Sequence, residues 1–286
     1  MAKEGPVNLN PIGVFDSGLG GLSVVHHLRR ELPAEDLLYF GDTARVPYGS
    51  KSRRTVVSFA LEAARFLLQY EPKLIVAACN TASALALDEL QRELPVPVIG
   101  VVEPGARAAV ERAGGEPIAV LGTEATIGSG SYVAAIQALH PGQVVVQRAC
   151  PLFVPLVEEG RECADPIVCA VAEEYLAPLR GQGVRVVILG CTHYPLLRPA
   201  IAECLGADTE IVESGRETAR AVVTHLRGVG GLCLPGRRGS MAYYVSDNAP
   251  RFRRVGSRFL EEEIESVEFV EPERYIAAGT RHPQPG

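Results

Sequence analysis

Two cysteines stand at matching places in this chain. The apolar run Leu74-Ile75-Val76-Ala77-Ala78 ends in Cys79-Asn80-Thr81-Ala82, and Val186-Val187-Ile188-Leu189-Gly190 ends in Cys191-Thr192-His193-Tyr194. A thiolate is a soft, nucleophilic base, and its ordinary pKa of about 8.5 is readily lowered at a helix N-terminus. Nucleophilic catalysis needs only one such group. Two thiols on opposite faces of one carbon can take a proton from one side and return one from the other, which inverts a stereocentre. A general base works best with a pKa near the working pH. Both cysteines read as lying just before a helix start, so lowered pKa values are expected for both.

The plainer reading is packing, because free Cys is among the most buried residue types. Cys150, Cys163, Cys169, Cys204 and Cys233 keep that reading, whereas the matched positions and polar followers set Cys79 and Cys191 apart. Asp16 alone reads as a turn residue. At the mouth of the first strand it can instead orient or deprotonate a thiol. His193 alone reads as a surface or capping residue, but two residues after Cys191 it is a candidate proton partner.

The elements that must hold these groups follow from the pattern. Each apolar run reads as a short strand buried on both faces of a parallel sheet. Ligands of open α/β sheets bind beyond the carboxyl ends of the strands, where both thiols fall. Ahead of Cys79, strands are expected at 12–15 and 37–40, separated by the turn Asp16-Ser17-Gly18-Leu19-Gly20-Gly21 and by a helix with Leu22, Val25, Leu28 and Leu32 on one face. The G-x-G-G spacing is not a dinucleotide fingerprint. It reads either as an anion-binding helix start or as a tight turn with Ser17 as the cap. The loop 41–49 leads to a long helix with Val56, Phe59, Ala63, Phe66 and Leu67 on its apolar side.

After Cys79 come a helix to about Leu94, ended by Pro95 and Pro97, a strand at 96–102 and a helix at 106–113. Gly114-Gly115 breaks the chain. Strands follow at 118–121 and 144–146, then the proline-bounded loop 150–155, a helix from Pro166 to about Arg180, the Cys191 strand, a short strand at 211–212 and a helix at 218–226. A Gly/Arg-rich loop at 228–239 precedes strands at 243–245 and 267–270 around a helix near 252–260. The tail after Ala278 reads as disordered. The pattern repeats: Phe15-Asp16-Ser17 aligns with Leu121-Gly122-Thr123 as Cys79 aligns with Cys191. The expected fold is α/β, with two similar parallel-sheet halves facing each other across a cleft, one thiol on each side.

Composition excludes several classes. The chain has 286 residues, 47% of them hydrophobic, and a net charge of −6, which gives no general pull toward nucleic acid or an anionic membrane. No apolar run approaches the roughly 20 residues of a membrane span, and residues 1–11 lack the apolar core of a signal peptide. Seven cysteines with no C-x-x-C pair argue against a disulfide framework and a zinc site. A reducing cytoplasm fits. The arginines from Arg237 to Arg258 read as a solvated face, because Glu261, Glu262 and Glu263 follow.

Five segments taken together resemble glutamate racemases: Phe15-Asp16-Ser17-Gly18, the stretch Gly41-Asp42-Thr43-Ala44-Arg45-Val46-Pro47-Tyr48-Gly49, Ala78-Cys79-Asn80-Thr81-Ala82, Gly122-Thr123 with Thr126-Ile127, and Leu189-Gly190-Cys191-Thr192-His193-Tyr194-Pro195. The resemblance runs from about Ile12 to Leu260. It implies a cofactor-independent racemase that supplies D-glutamate for peptidoglycan. It also implies that Cys79 takes the proton from D-glutamate and Cys191 from L-glutamate, with Asp16 and His193 each assisting the thiol on its own side. Ser17, the Pro47-Tyr48-Gly49 segment, Asn80, Thr81, Thr123 and Thr192, with Asp16 and His193, would hold the substrate. An additional acidic helper would be Asp42, Glu158 or Glu159. The implied first domain is discontinuous, 1–100 plus 210–286, with 101–209 as the second. Family members with longer leaders bind a peptidoglycan-precursor activator, and the short extension here speaks against such activation. The oligomeric state stays open, a homodimer included.

Three rivals deserve weighing. One is an aspartate or other Cys-pair racemase of the same superfamily, and another a non-catalytic protein that captures an acidic metabolite in a two-lobed cleft. The last is a thiol hydrolase using Cys191 and His193, disfavoured because two residues apart at a strand–helix corner is a poor geometry for a thiol–imidazole hydrogen bond. No metal or cofactor is expected. Many racemases use pyridoxal phosphate through a Lys Schiff base, but lysine occurs only at 3, 51 and 73. Lys3 lies in the leader, Lys73 lies on the wrong side of its strand, and only Lys51 is near a motif. Lys51→Ala should therefore retain activity without added pyridoxal phosphate. A visible aldimine absorbance in the purified protein, lost on borohydride treatment, would contradict this.

Overall fold

The computed structural model describes residues 8–206, 208–234 and 236–276. The leader to Val7, Lys3 and the tail after Ala278 lie outside them. The first half runs β1 (Ile12–Asp16), α1 (Leu22–Glu31), β2 (Leu37–Gly41), α2 (Arg53–Leu68), β3 (Leu74–Ala77), α3 (Asn80–Glu93), β4 (Val98–Gly100) and α4 (Val102–Ala113). The second runs β5 (Ile118–Gly122), α5 (Glu124–Gly128), α6 (Ser131–Leu139), β6 (Val145–Ala149), α7 (Phe153–Glu158), α8 (Pro166–Leu176), β7 (Val186–Gly190), α9 (Arg198–Leu205), β8 (Glu210–Glu213) and α10 (Ser214–Gly228). The chain closes with β9 (Met241–Val245), α11 (Ala249–Leu260), β10 (Glu268–Phe269) and α12 (Pro272–Ile276).

Two parallel sheets result. The six-stranded one has the order β10-β9-β2-β1-β3-β4 and the four-stranded one β6-β5-β7-β8. The repeat is thus one of topology: β2-β1-β3-β4 and β6-β5-β7-β8 share one strand order. The central strands β1, β3, β5 and β7 are buried throughout, as continuous apolar runs in a doubly covered sheet require. Helix α10 packs on α1 and α4 and so ties the two sheets together.

Several boundaries depart from the pattern read in sequence. Glu103-Pro104-Gly105 forms the first turn of α4 rather than a loop, because a proline in a first turn gives up no intrahelical bond. The same holds for Pro155 in α7, so the loop expected at 150–155 becomes a helix from Phe153. Helix α6 answers to no expected element. Residues 210–213, placed in the first domain from sequence, pair with β7 in the second sheet. The chain returns to the first sheet where β9 pairs with β2. The arginine run is not simply a solvated face: Arg237 pairs with Asp36, and Arg258 Nη1 donates to Val157 O at 2.9 Å. These guanidinium groups hold the last segment to both lobes.

Lys73 shows what the remote end of the sheet is built on. At the foot of β3 its ammonium lies 2.5 Å from Glu35 Oε2 and donates to Asn8 O and Gly231 O, and both side chains are almost wholly buried. Breaking such a buried pair leaves an uncompensated charge and costs about 3–5 kcal/mol. Lys73→Met should lower unfolding free energy in urea by that order while leaving turnover per folded molecule unchanged. A loss of only a few tenths of a kcal/mol would contradict the assignment.

Candidate active site

The carboxyl ends of β1, β3, β5 and β7 converge between the lobes. Strand β1 ends in Asp16, which is fully buried. Its Oδ2 accepts from Gly18 N at 2.8 Å, and Tyr39 OH donates to Gly18 O at 2.9 Å. The glycine turn is thereby pinned, and Gly20 touches the other lobe. A Cβ there would meet Thr192 Oγ1 at 2.2 Å and His193 Nδ1 at 2.5 Å. The G-x-G-G pattern is therefore a contact between lobes. Ser17 does not cap α1, whose N-cap is Gly21 without a side-chain bond. Its hydroxyl instead accepts from the Cys79 thiol at 3.6 Å.

Cys79 is the N-cap of α3, and Ala82 N donates to its Sγ at 3.5 Å. Cys191 has no such helix. Residues 191–193 turn, a 3-10 segment follows at Tyr194–Leu197, and α9 begins only at Arg198. The expected lowering of both thiol pKa values does not hold. Burial pushes Cys79 up to about 11, the buried Asp16 charge adds to this, and the Ala82 and Ser17 bonds offset it only in part. Cys191 is raised further, first by burial and then by the Cys79 and Asp16 charges, against a single backbone donor, His193 N–H.

Each thiol has a titratable neighbour. His193 Nδ1 lies 3.9 Å from Cys191 Sγ, and its Nε2 lies 3.0 Å from Glu158 Oε1. The contact expected to be geometrically poor is therefore made, because the chain turns after Cys191 instead of entering a helix. Burial works to raise the Glu158 pKa, but His193 and Arg251 outweigh it and hold the carboxyl below its usual range. Asp16 is raised by burial, against the pull of His193 and its backbone donors. Of the three acidic helpers left open by sequence, Glu158 alone lines the cavity. Asp42 lies behind, accepting from Tyr48 OH and paired with Arg45 Nε at 2.7 Å, and Glu159 is exposed.

The cavity between the lobes measures about 140 Å³. At about 10–15 Å³ for each water-sized group, that accommodates on the order of ten non-hydrogen atoms. Ser17, Pro47, Tyr48, Gly49, Asn80, Thr81, Thr123 and Thr192 line it together with both thiols and His193. Asp16 does not; it underlies them. Thr81 Oγ1 lies 3.0 Å from Thr123 Oγ1 across the lobes, and Gly49 packs on Thr123. Tyr132 OH donates to Asn80 Oδ1 at 2.7 Å, and the buried Asn80 Nδ2 has no protein partner among the described residues. Sequence reasoning missed the apolar wall of Pro151, Val154 and Pro155, whose only signal was the proline spacing, and missed Arg251, which pairs with Glu158 at 3.2 Å. Among the described residues no His, Cys, Asp and Glu cluster is arranged to hold a metal ion, and no helix is long and apolar enough to cross a membrane.

Fold and site define a two-lobed α/β protein in which one thiol from each lobe lines a single cavity between them. The family model for Asp/Glu/hydantoin racemases matches residues 12–222. A glutamate racemase of Geobacter metallireducens is 52% identical over 87% of this chain and 92% of its own length. The crystal structure of a glutamate racemase isoform from Bacillus anthracis superposes with a TM-score of 0.87 at 40% identity, covering 92% of this chain and 97% of that one. That of the Francisella tularensis enzyme, in complex with D-glutamate, gives 0.86 at 38%, covering 93% and 99%. The chain belongs to the glutamate racemase branch of the Asp/Glu/hydantoin racemase family, isomerases of amino acids. Displacing a catalytic group by about 1 Å costs on the order of 10²-fold in rate. Gly20→Ala, which drives a methyl into Thr192 and His193, should lower turnover by that order; a variant with wild-type kinetics would show that the turn does not fix the second-lobe groups.

Proposed function

We propose that this chain interconverts L- and D-glutamate by proton transfer between the α-carbon and two thiols, without a cofactor, and supplies D-glutamate for peptidoglycan from the cytoplasm. The observation that carries this reading is one thiol from each lobe in a single cavity of amino-acid size. The relatives named above support glutamate as the substrate. The α-proton of an amino acid is very weakly acidic, so the base must be strong. A desolvated thiol with a raised pKa is a strong base once its proton is gone, and a neighbouring group must take that proton.

On the Cys191 side His193 has that role. Glu158 accepts the Nε2 proton, which leaves the Nδ1 lone pair facing the thiol. On the Cys79 side Asp16, with its raised pKa, accepts the proton, while Ala82 N–H and Ser17 stabilise the thiolate. The threonine hydroxyls and the unpartnered Asn80 Nδ2 hold the substrate's carboxylates and amino group between the faces. Cys191 serves L-glutamate and Cys79 serves D-glutamate.

Cys79→Ala and Cys191→Ala should each lower racemisation by about 10³-fold or more, since each removes a proton donor-acceptor from one face. Cys163→Ala should change little. In a chiral assay L-glutamate should be turned over and L-aspartate should not. Near-normal turnover in either of the first two variants, or equal use of L-aspartate, would overturn the reading.

A further inference from the structure

The two thiols are not supported alike, and the difference reaches beyond the cavity wall. Cys79 draws on its own lobe, through Asp16, Ser17 and the start of α3. Cys191 depends on the His193–Glu158 pair, and Glu158 sits at the C-terminal end of α7, a helix of only six residues. One oxygen of Glu158 meets His193 Nε2 at 3.0 Å. The other meets Arg251 Nη2 at 3.2 Å. Arg251 comes from α11, which belongs to the segment that returns to the first sheet. Its place in the first turn is fixed by Asn248, whose side chain caps the helix and accepts from Arg251 N at 3.1 Å. The same helix sets Phe259 edge-on against the His193 ring at 5.2 Å and carries Arg258 to Val157 O at 2.9 Å.

We infer that Arg251 is a positioning residue for the Cys191 half-reaction: from the first lobe it holds Glu158 against His193 and so fixes which imidazole nitrogen faces the thiol. This rests on the two-thiol reading above. The pair is half-buried, with side-chain exposures of 34% and 17%, so it is less screened than an exposed ion pair. A planar guanidinium also constrains a carboxylate's orientation in a way a point charge does not. Without Arg251 the Glu158 carboxylate keeps its His193 hydrogen bond but loses its guanidinium partner, at the end of a short helix that is anchored by the buried Phe153 and Val157 and by the Arg258 bond to Val157 O. The effect falls chiefly on the Cys191 face, because Glu158 pairs directly with His193 and Arg251, whereas Asp16 on the Cys79 side feels His193 and Glu158 only through their charge.

Thermodynamics sets how the effect must be read. L- and D-glutamate have equal free energy, so kcat/KM falls equally in both directions whichever face is damaged. Arg251→Met should lower it by about tenfold, as removal of part of a general-base array does. The face is revealed by primary deuterium isotope effects on kcat/KM. Damage on the Cys191 side makes that proton transfer more limiting, so the effect with α-deuterated L-glutamate rises and that with α-deuterated D-glutamate falls. Arg251→Lys keeps the charge but loses the fork, and should shift both effects in the same directions by less. It also covers a Met variant that fails to fold. Arg254→Ala, an equal loss of charge at an exposed site on the same helix, should leave both effects at their wild-type values. In a Glu158→Gln background Arg251→Met should add nothing further, the non-additivity expected when one residue acts through another. Isotope effects that stay in their wild-type ratio in the Arg251 variants, or full additivity with Glu158→Gln, would overturn the assignment. Turnover surviving in Cys191→Ala would instead bring down the two-thiol reading itself, so the two failures are distinguishable.

Discussion

Desolvation of the paired thiols is the constraint on which the rest of the site depends. Both sulfurs are buried, and each lies near enough to other ionisable groups that its thiolate is disfavoured by burial first and by neighbouring negative charge second. Such a thiol is of no use as a base unless something beside it takes the proton. The features around the cavity answer that need. Asp16 and Ser17 end the first strand and lie near Cys79, the turn after Cys191 brings His193 to the sulfur, and Glu158 and Arg251 stand behind the imidazole. The same burial makes a thiolate, once formed, a stronger base than it would be in water, which the weak acidity of an amino-acid α-proton demands.

Closing the lobes is the second requirement, and the glycines carry it. Gly20 abuts Thr192 and His193, and Gly49 abuts Thr123, each with no space for a Cβ. Helix α11 completes the closure from the other side through Phe259, Arg258 and Arg251. The two halves share a strand order, yet they are not equivalent. The first supplies a helix-capped thiol and the glycine turn, whereas the second supplies a thiol in a turn and borrows its outermost support from the first. A duplicated scaffold has thus come to hold two thiols by different local means.

Much of this was legible in the sequence, for physical reasons. Continuous apolar runs ending at Cys79 and Cys191 read as buried parallel strands, and ligands collect at the carboxyl ends of such strands, so the paired placement was expected. Of the residues the resemblance marked, Ser17, Tyr48, Asn80, Thr81, Thr123 and Thr192 line the cavity, whereas Asp16 lies beneath it. What was not legible depends on long-range contact. Lowered thiol pKa values were expected from helix starts, but burial depth is a tertiary property, and Cys191 has no helix start at all. Residues 210–213 carry too little pattern to say which sheet they join. Arg251 sat in a run of arginines followed by glutamates, and local charge alternation could not reveal a partner 93 positions earlier, at Glu158.

The account's central claim is that two different thiols serve the two faces of the substrate, and isotope incorporation tests it most directly. L-glutamate is incubated with the enzyme in deuterated water, the reaction is stopped at low conversion, and the separated enantiomers are analysed by mass spectrometry. A thiol carries a single exchangeable proton, so the protium that Cys191 abstracts is not handed to the product, which receives deuterium from Cys79. The account predicts D-glutamate almost fully deuterated at the α-carbon and residual L-glutamate almost fully protiated. Substantial deuterium in the residual L-glutamate, or protium retained in the D-glutamate, would mean that a single base serves both faces and would contradict it.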